Sequence, residues 1–327
     1  MLTINLFNGL VYGALLIVMS SGLALIYGLR RVVNFAHGAL YMLGAYLGYS
    51  VAQHGNFWVA LLVAPAIMAV VGVLLDRYGF RLLQDREPLN VMLVTFGLLL
   101  ILEDLVVLIW GKANLSLFTP DLLNFSVNLL GNEVPAYRLG VIAVGAAVAL
   151  GLTLWLRFSR VGLFVRAAST DPVTTSMQGV NTDALSAAVV GLGSALAGLA
   201  GVVAGPFLSL SPHMSSDVLI DSFVVVVIGG LGSLAGAFIA ALLLGMMQAV
   251  GAVYLPEVSV LLPFIFMIAI LVWKPSGLAG TVRTADNQML IPNYVARVKM
   301  ADGALRPVIE QSYPASIAPA ASALCKM

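Results

Sequence analysis

Glu103 and Asp104 stand side by side inside Val91–Trp110, a run of about twenty mostly apolar residues, roughly 10 Å from its outer end at ~1.5 Å per helical residue. In hydrocarbon each carboxylate costs about 2.5–3.5 kcal/mol, so at least one is expected to face a protein interior or a wet vestibule. The other reading moves the run's boundary and leaves both interfacial. Asn34 and His37 open a second apolar run, beside Gly38. They suit the lining of a path or the closing of a broken helix end; they also suit a plain cap and an interfacial polar group. Gly229, Gly230 and Gly232 put three glycines in four positions, followed by Ser233. Each opposes helix by about 1 kcal/mol relative to Ala, which predicts a flexible or re-entrant turn.

The fourth place is the basic connection Arg157–Asp183. Thr170 or Asp171 followed by Pro172 has the pattern of a helix start, Gly179 suits its end, and Asn181 or Asp183 suits a cap for the next element. That spacing predicts a short amphipathic helix held across the membrane surface between two spans, a shape a partner ATPase can grip. A solvated connector with ordinary caps is the alternative.

What is missing narrows the chemistry. There is no G-x-x-x-x-G-K-[ST] phosphate loop, no H-E-x-x-H and no G-x-S-x-G, and His37, His54 and His213 are too scattered for a metal site. No catalytic set, metal or cofactor is expected. Charges within the apolar runs are few, with Glu103 and Asp104 the ones well inside a span. Carriers coupled to protons or sodium usually show more intramembrane carboxylates or matched broken helices. Energy for transport must therefore come from another subunit, or not be needed.

The elements that position these residues are membrane spans. Hydrophobic residues make up 61% of the 327 positions and charged residues 9%, more apolar surface than a water-soluble core uses. The net charge of +1 gives no polyelectrolyte character, so nucleic acid is not an expected partner. Cys325 is the single cysteine, which excludes an intrachain disulfide. A span needs about 20 residues to cross roughly 30 Å of hydrocarbon. Candidates are Leu6–Leu29, Ala36–Val51, Phe57–Leu75, Val91–Trp110, Leu139–Leu156, Ala184–Gly205, Leu234–Val253 and Val258–Trp273. The first lacks a basic leader and is long for a cleaved signal, so it is expected to be retained. Val218–Leu231, with only 14 residues, is a short tilted span or a re-entrant half-helix. The expected fold is an all-α polytopic membrane bundle of eight or nine spans.

Arg30 and Arg31, then Arg77, Arg81 and Arg86, then Arg157, Arg160 and Arg166, and finally Lys274 mark basic connections. Placing them inside works with nine crossings, the amino terminus outside and the carboxyl terminus inside. Residues 1–280 form the expected transmembrane domain. Thr281–Met327 has four prolines and no sustained apolar period, and reads as a loosely ordered cytoplasmic tail. Glycine pairs at four-residue spacing (Gly9/Gly13, Gly44/Gly48, Gly201/Gly205, Gly232/Gly236) fit close helix packing in lipid.

Several blocks carry a resemblance. R-A-A-x-x-D at Arg166–Asp171 followed by M-Q-G-V-N-T-D at Met177–Asp183, NFAHGALYMLGAY at Asn34–Tyr46, IGGLGSLAGA at Ile228–Ala237 and KPSGLAG at Lys274–Gly280 occur in order. Together they resemble the branched-chain amino acid ABC transporter permeases of LivH type, over about residues 1–280. The resemblance implies an inner-membrane permease working with a second related permease (LivM type), two cytoplasmic ATP-binding subunits and a periplasmic substrate-binding protein. It also implies that Arg166, Asp171, Gly179, Asn181 and Asp183 belong to the ATPase-coupling loop. Branched-chain amino acids are the expected cargo, with other amino acids, urea or amides as alternatives within the family. The tail departs from the family pattern. The rival readings are a passive channel for small polar solutes and, from another class, an intramembrane enzyme or scaffold.

Overall fold

The computed structural model describes residues 2–83, 86–129, 132–279, 293–301 and 304–313. Eleven α-helices run in chain order among them: α1 Leu2–Arg30, α2 Ala36–His54, α3 Phe57–Tyr78, α4 Pro88–Trp110, α5 Ala136–Phe158, α6 Arg160–Thr170, α7 Pro172–Met177, α8 Thr182–Ala204, α9 Met214–Gly229, α10 Leu234–Tyr254 and α11 Leu262–Trp273. Two antiparallel hairpins join this helical bundle, β1 (Ser126–Leu129) with β2 (Asn132–Pro135) and β3 (Asn293–Ala301) with β4 (Ala304–Tyr313). The first hairpin lies in the α4–α5 connection. The second lies within the expected tail, Thr281–Met327, as a paired hairpin where a loosely ordered segment was expected; the rest of that tail falls outside the described residues.

Six of these helices are long and apolar enough to cross a membrane: α1, α3, α4, α5, α8 and α10. The bundle is a polytopic membrane fold. The helix α2 has 19 residues but carries His37 and several tyrosines, which lower its hydropathy, while α9 has 16 and α11 has 12. At ~1.5 Å per residue the last two reach about 24 and 18 Å.

The core is built around α1. Within its apolar window 89% of residues are buried, against 17% in α4 and in α5. Helices α10, α8 and α5 pack on α1, and α2 and α3 pack on α8. Small residues make this closeness possible, because lipid offers no hydrophobic drive between helices and contact must come from backbone approach. Gly44 lies directly against Gly198, Gly9 and Gly13 lie against α10 near Gly245, and Gly201 lies against Tyr41 and Ala45. A Cβ at Gly201 would stand 2.7 Å from the Ala45 nitrogen.

Contacts gather the basic connections at one end. Arg30 pairs with Asp76, Arg81 pairs with Asp183, and the Arg31 guanidinium donates to the carbonyls of Ser169 and Thr170. At the opposite end the Trp110 indole donates to Ser50, Leu115 bridges to Leu210, and Tyr137 donates to the Val203 carbonyl.

Candidate translocation path and coupling element

The first site is where two helices begin inside the bundle. After Arg31 the chain does not start α2 at the basic end; it runs inward as far as Phe35. His37 then meets α1 halfway along, its Nε2 donating to the Met19 carbonyl at 3.0 Å. Met19 lies eleven residues before Arg30, about 16 Å into the bundle. The second helix is α9, whose first turn reaches the same region: the Ser215 carbonyl and Leu219 close on Gly38. The buried Ser215 hydroxyl donates to Glu103 of α4, two turns inside the outer end of that helix. A carboxylate at the amino end of α9 is favoured by the helix dipole.

This junction carries unused polar capacity. Asn34 Oδ1 caps α2 by accepting from the Ala36 amide at 3.0 Å, and the Phe35 amide donates to Thr95 at 3.2 Å. The Asn34 Nδ2 donor and the His37 Nδ1 acceptor are buried with no partner in the protein. Buried polar groups are nearly always partnered, so the two open atoms mark this junction as a candidate binding place.

Helical geometry separates the two neighbouring acids. Residues 95, 99, 103 and 106 form the inward stripe of α4, with Thr95, Leu99 and Val106 buried. Asp104, one position on, points outward among exposed Leu100, Ile101 and Leu108. Thus α2 meets α9 at Gly38 and Ser215, Glu103 joins α9 through the Ser215 hydroxyl, and Asp104 takes no part.

The second site lies at the basic end of the bundle. The α6–α7 element leaves α5 at Ser159, which caps α6 by accepting from the Gly162 amide at 2.8 Å. Asp171 caps α7, accepting from the amides of Val173 (3.0 Å) and Thr174 (3.1 Å) and from the Thr174 hydroxyl. These bonds hold its carboxyl below the usual carboxylate range, the Thr174 side chain contributing most. Gly179 closes α7 at φ +84°, a left-handed position where any side chain is strained. Asn181 caps α8, accepting from Ala184 at 2.9 Å, and Asp183 pairs with Arg81. Arg166 is exposed on α6. All five residues lie on this one element or at its junction with α8. A largely apolar cavity of about 1030 Å³ lies between α6, α7 and the start of α8. On α7 itself, Val173 and Met177 are 60% and 81% exposed at i and i+4, one face of a short helix.

The third site is the turn from α9 to α10. Gly229 ends α9, Gly230 and Gly232 adopt φ +101° and +88°, and Ser233 caps α10 by accepting from Gly236 at 3.1 Å. The chain after α11 docks there, with the amides of Leu278 and Ala279 donating to the carbonyls of Ile228 and Gly229. Gly277 packs on Gly230, and Gly28 of α1 faces Gly232. The turn therefore lies at the basic end, with the α6–α7 element.

Residues 5–271 match the family model described as the branched-chain amino acid transport system permease component. The chain belongs to that family. The permease is 28% identical over 300 residues to the high-affinity branched-chain amino acid transport system permease protein LivH of Escherichia coli (strain K12), covering 84% of this chain and 94% of that one. It has the same identity and coverage to LivH of Salmonella typhimurium. BraD of Pseudomonas aeruginosa is 29% identical over 291 residues, covering 84% and 95%. No solved structure matches. Its family makes the permease a transport subunit rather than an enzyme, a multi-pass protein of the bacterial inner membrane and part of a multi-component ABC import system.

Several residues of this permease escaped the sequence reading. Asp221 is a third carboxylate in an apolar helix; it accepts from the Tyr12 hydroxyl at 2.6 Å and from Gln248 at 3.4 Å, tying α9 to α1 and α10. The count of acids well inside a span is corrected accordingly. Its signal was open to view, an Asp four residues into Val218–Leu231. Asp76, one residue beyond Phe57–Leu75, is 2% exposed and accepts from both Arg30 (2.6 Å) and Ser186 (2.9 Å). An acid beside a basic cluster was the available hint.

Proposed function

We propose that the permease forms, with a second related permease of LivM type, the membrane path of an ATP-driven amino-acid importer. Two cytoplasmic ATP-binding subunits power it, and a periplasmic binding protein delivers the cargo. Branched-chain amino acids are the substrate class, as the names of the relatives state for those proteins. Asn34, His37 and Glu103 line the path; Gly229, Gly230 and Gly232 form a conformational turn near its inner end. Asp104, a carboxylate on an apolar surface, faces the second permease or the wet space between the two, because lipid leaves it unsatisfied.

The observation that carries the ATPase reading is α7. A short helix capped at both ends presents two large apolar side chains, Val173 and Met177, away from its own fold. Exposed anchors at that spacing are what a partner's groove takes up. Arg166, Asp171, Gly179, Asn181 and Asp183 shape and hold that element. A passive channel has no use for it. Nine crossings account for the gathering of Arg30, Asp76, Asp183 and Ile228–Ala279 at one end, with α2, α9 and α11 as the interior or short members.

The test is reconstitution. The permease isolated from native membranes should bring two ATPase subunits and a second permease with it. In proteoliposomes leucine uptake should require ATP inside and binding protein outside. Leucine flux that runs without nucleotide would show a channel instead.

A further inference from the structure

The connection from α1 to α2 joins the α6–α7 element to the polar junction in the bundle. Arg31 is the one non-glycine residue at positive φ among the described residues, at +53°. A residue with a Cβ held there is strained by about 1–2 kcal/mol and stays only where its surroundings enforce it. Two contacts hold it: its amide donates to the Tyr27 carbonyl at 2.7 Å, the left-handed close of α1, and its Nη2 donates to the Ser169 carbonyl at 2.9 Å and the Thr170 carbonyl at 3.2 Å. Ser169 and Thr170 supply the last carbonyls of α6, immediately before the cap of α7, and a cation there is favoured by the helix dipole.

The neighbouring Arg30 is held differently. Its guanidinium is fixed between Asp76 and Ser186, on α3 and α8. One arginine is therefore anchored in the bundle and the next is anchored to the docking element. Past them the chain runs along a cavity of about 90 Å³ lined by Ile26, Val33, Asn34, Phe80 and Val91. Three residues beyond Arg31 stands Asn34, with its unpaired donor, and then the start of α2. The link has a fixed pivot, a handle on the α6–α7 element, and space into which it can shift.

We propose that Arg31 is a positioning residue of the transport cycle: it transmits displacement of the α6–α7 element to the α1–α2 link and so moves Asn34 and His37. The inference rests on the reading of α7 as the ATPase-docking element. It does not place Arg31 on the substrate. Both carbonyls are held from one nitrogen, Nη2, so a lysine ammonium, which carries three N–H donors, can replace it in part.

The test uses the complete complex in proteoliposomes. Arg31→Ala and Arg31→Gly remove the handle, and the glycine also relieves the strain. Both should keep the ATPase subunits bound and hydrolysis running, while uptake per ATP falls at least about tenfold; Arg31→Lys should fall between. A second measurement covers variants that misfold: with Arg31 intact, cysteines at Val33 and Phe80 are joined across the cavity. The joined link should stop uptake, and reductant should restore it. Uptake per ATP unchanged in both Arg31→Ala and Arg31→Gly, or undiminished with the link joined, overturns the proposal. A Met177→Cys permease that fails to cross-link to an ATPase subunit overturns the docking reading itself; a cross-link with unchanged coupling overturns Arg31 alone.

Discussion

Asp76→Asn removes one charge from a buried ion pair while keeping the shape of the side chain. In the wild-type protein Asp76 Oδ1 accepts from Arg30 at 2.6 Å and from Ser186 at 2.9 Å. The two charged side chains are 3% and 19% exposed. Breaking a fully buried pair on one side costs about 3–5 kcal/mol, because the surviving charge is stranded. Arg30 is partly exposed and keeps Ser186, so the lower end applies, about 2–3 kcal/mol, a factor of roughly 30–150 in the folding equilibrium. Reversible unfolding in mixed micelles measures it, with Arg30→Gln and the double variant completing a cycle. The double variant should be about 1–2 kcal/mol less destabilised than the sum of the singles, since its second substitution removes the stranded partner. Strict additivity, or an Asp76→Asn protein within about 0.5 kcal/mol of wild type, would refute the reasoning.

Gly44→Leu should destabilise the bundle by about 1–3 kcal/mol or more through overpacking against Gly198, read as a fall in unfolding midpoint; Gly97→Leu, where a Cβ meets nothing within 4 Å, is the unaffected control. Gly179→Ala should strain the α7 terminus by about 1–2 kcal/mol although the site is open, and Gly179→Asn should be milder, checked by uptake at matched expression. Glu103→Gln keeps an acceptor for Ser215, so assembly should hold while uptake falls several-fold; undiminished uptake would put Glu103 outside the path. The Asp171 cap is ionised at neutral pH and its carboxyl is held below the ordinary range, so its contribution is complete above that range and is lost as pH falls through the lowered value. Proteolysis of the α7 region should therefore rise on acidification, and Asp171→Asn should flatten that response.

The α6–α7 element was the most legible part of the molecule. Its cap, its Pro172 start, its Gly179 stop and the Asn181 cap are local hydrogen-bond and backbone chemistry, and each stands where the residue order puts it. The turn at Gly229–Ser233 was legible for the same reason. The interior starts of α2 and α9 were not. Hydropathy registers that a segment is apolar, but how deep it begins depends on contacts with residues far away, such as Met19 for His37 and Glu103 for Ser215. Nor could periodicity divide Glu103 from Asp104 while α4 was apolar on every side; the division appears only once α2 and α9 choose a face.

The burial of α1 has a consequence for how the protein is made. Of the six long apolar helices among the described residues, α1 is made before the others and is the most enclosed at the end, and its main neighbours, α8 and α10, lie within residues 182–254. At about 5–20 residues per second, α1 waits roughly 10–50 s for them in the bilayer. During that interval Tyr12 lacks Asp221, Arg30 lacks Ser186, and the glycines that will meet α10 face lipid chains. An insertion chaperone that shelters a nascent helix would have its clearest client in this segment. Membrane quality-control proteases would find in any chain stalled before α8 an α1 with unpaired polar groups to recognise and degrade.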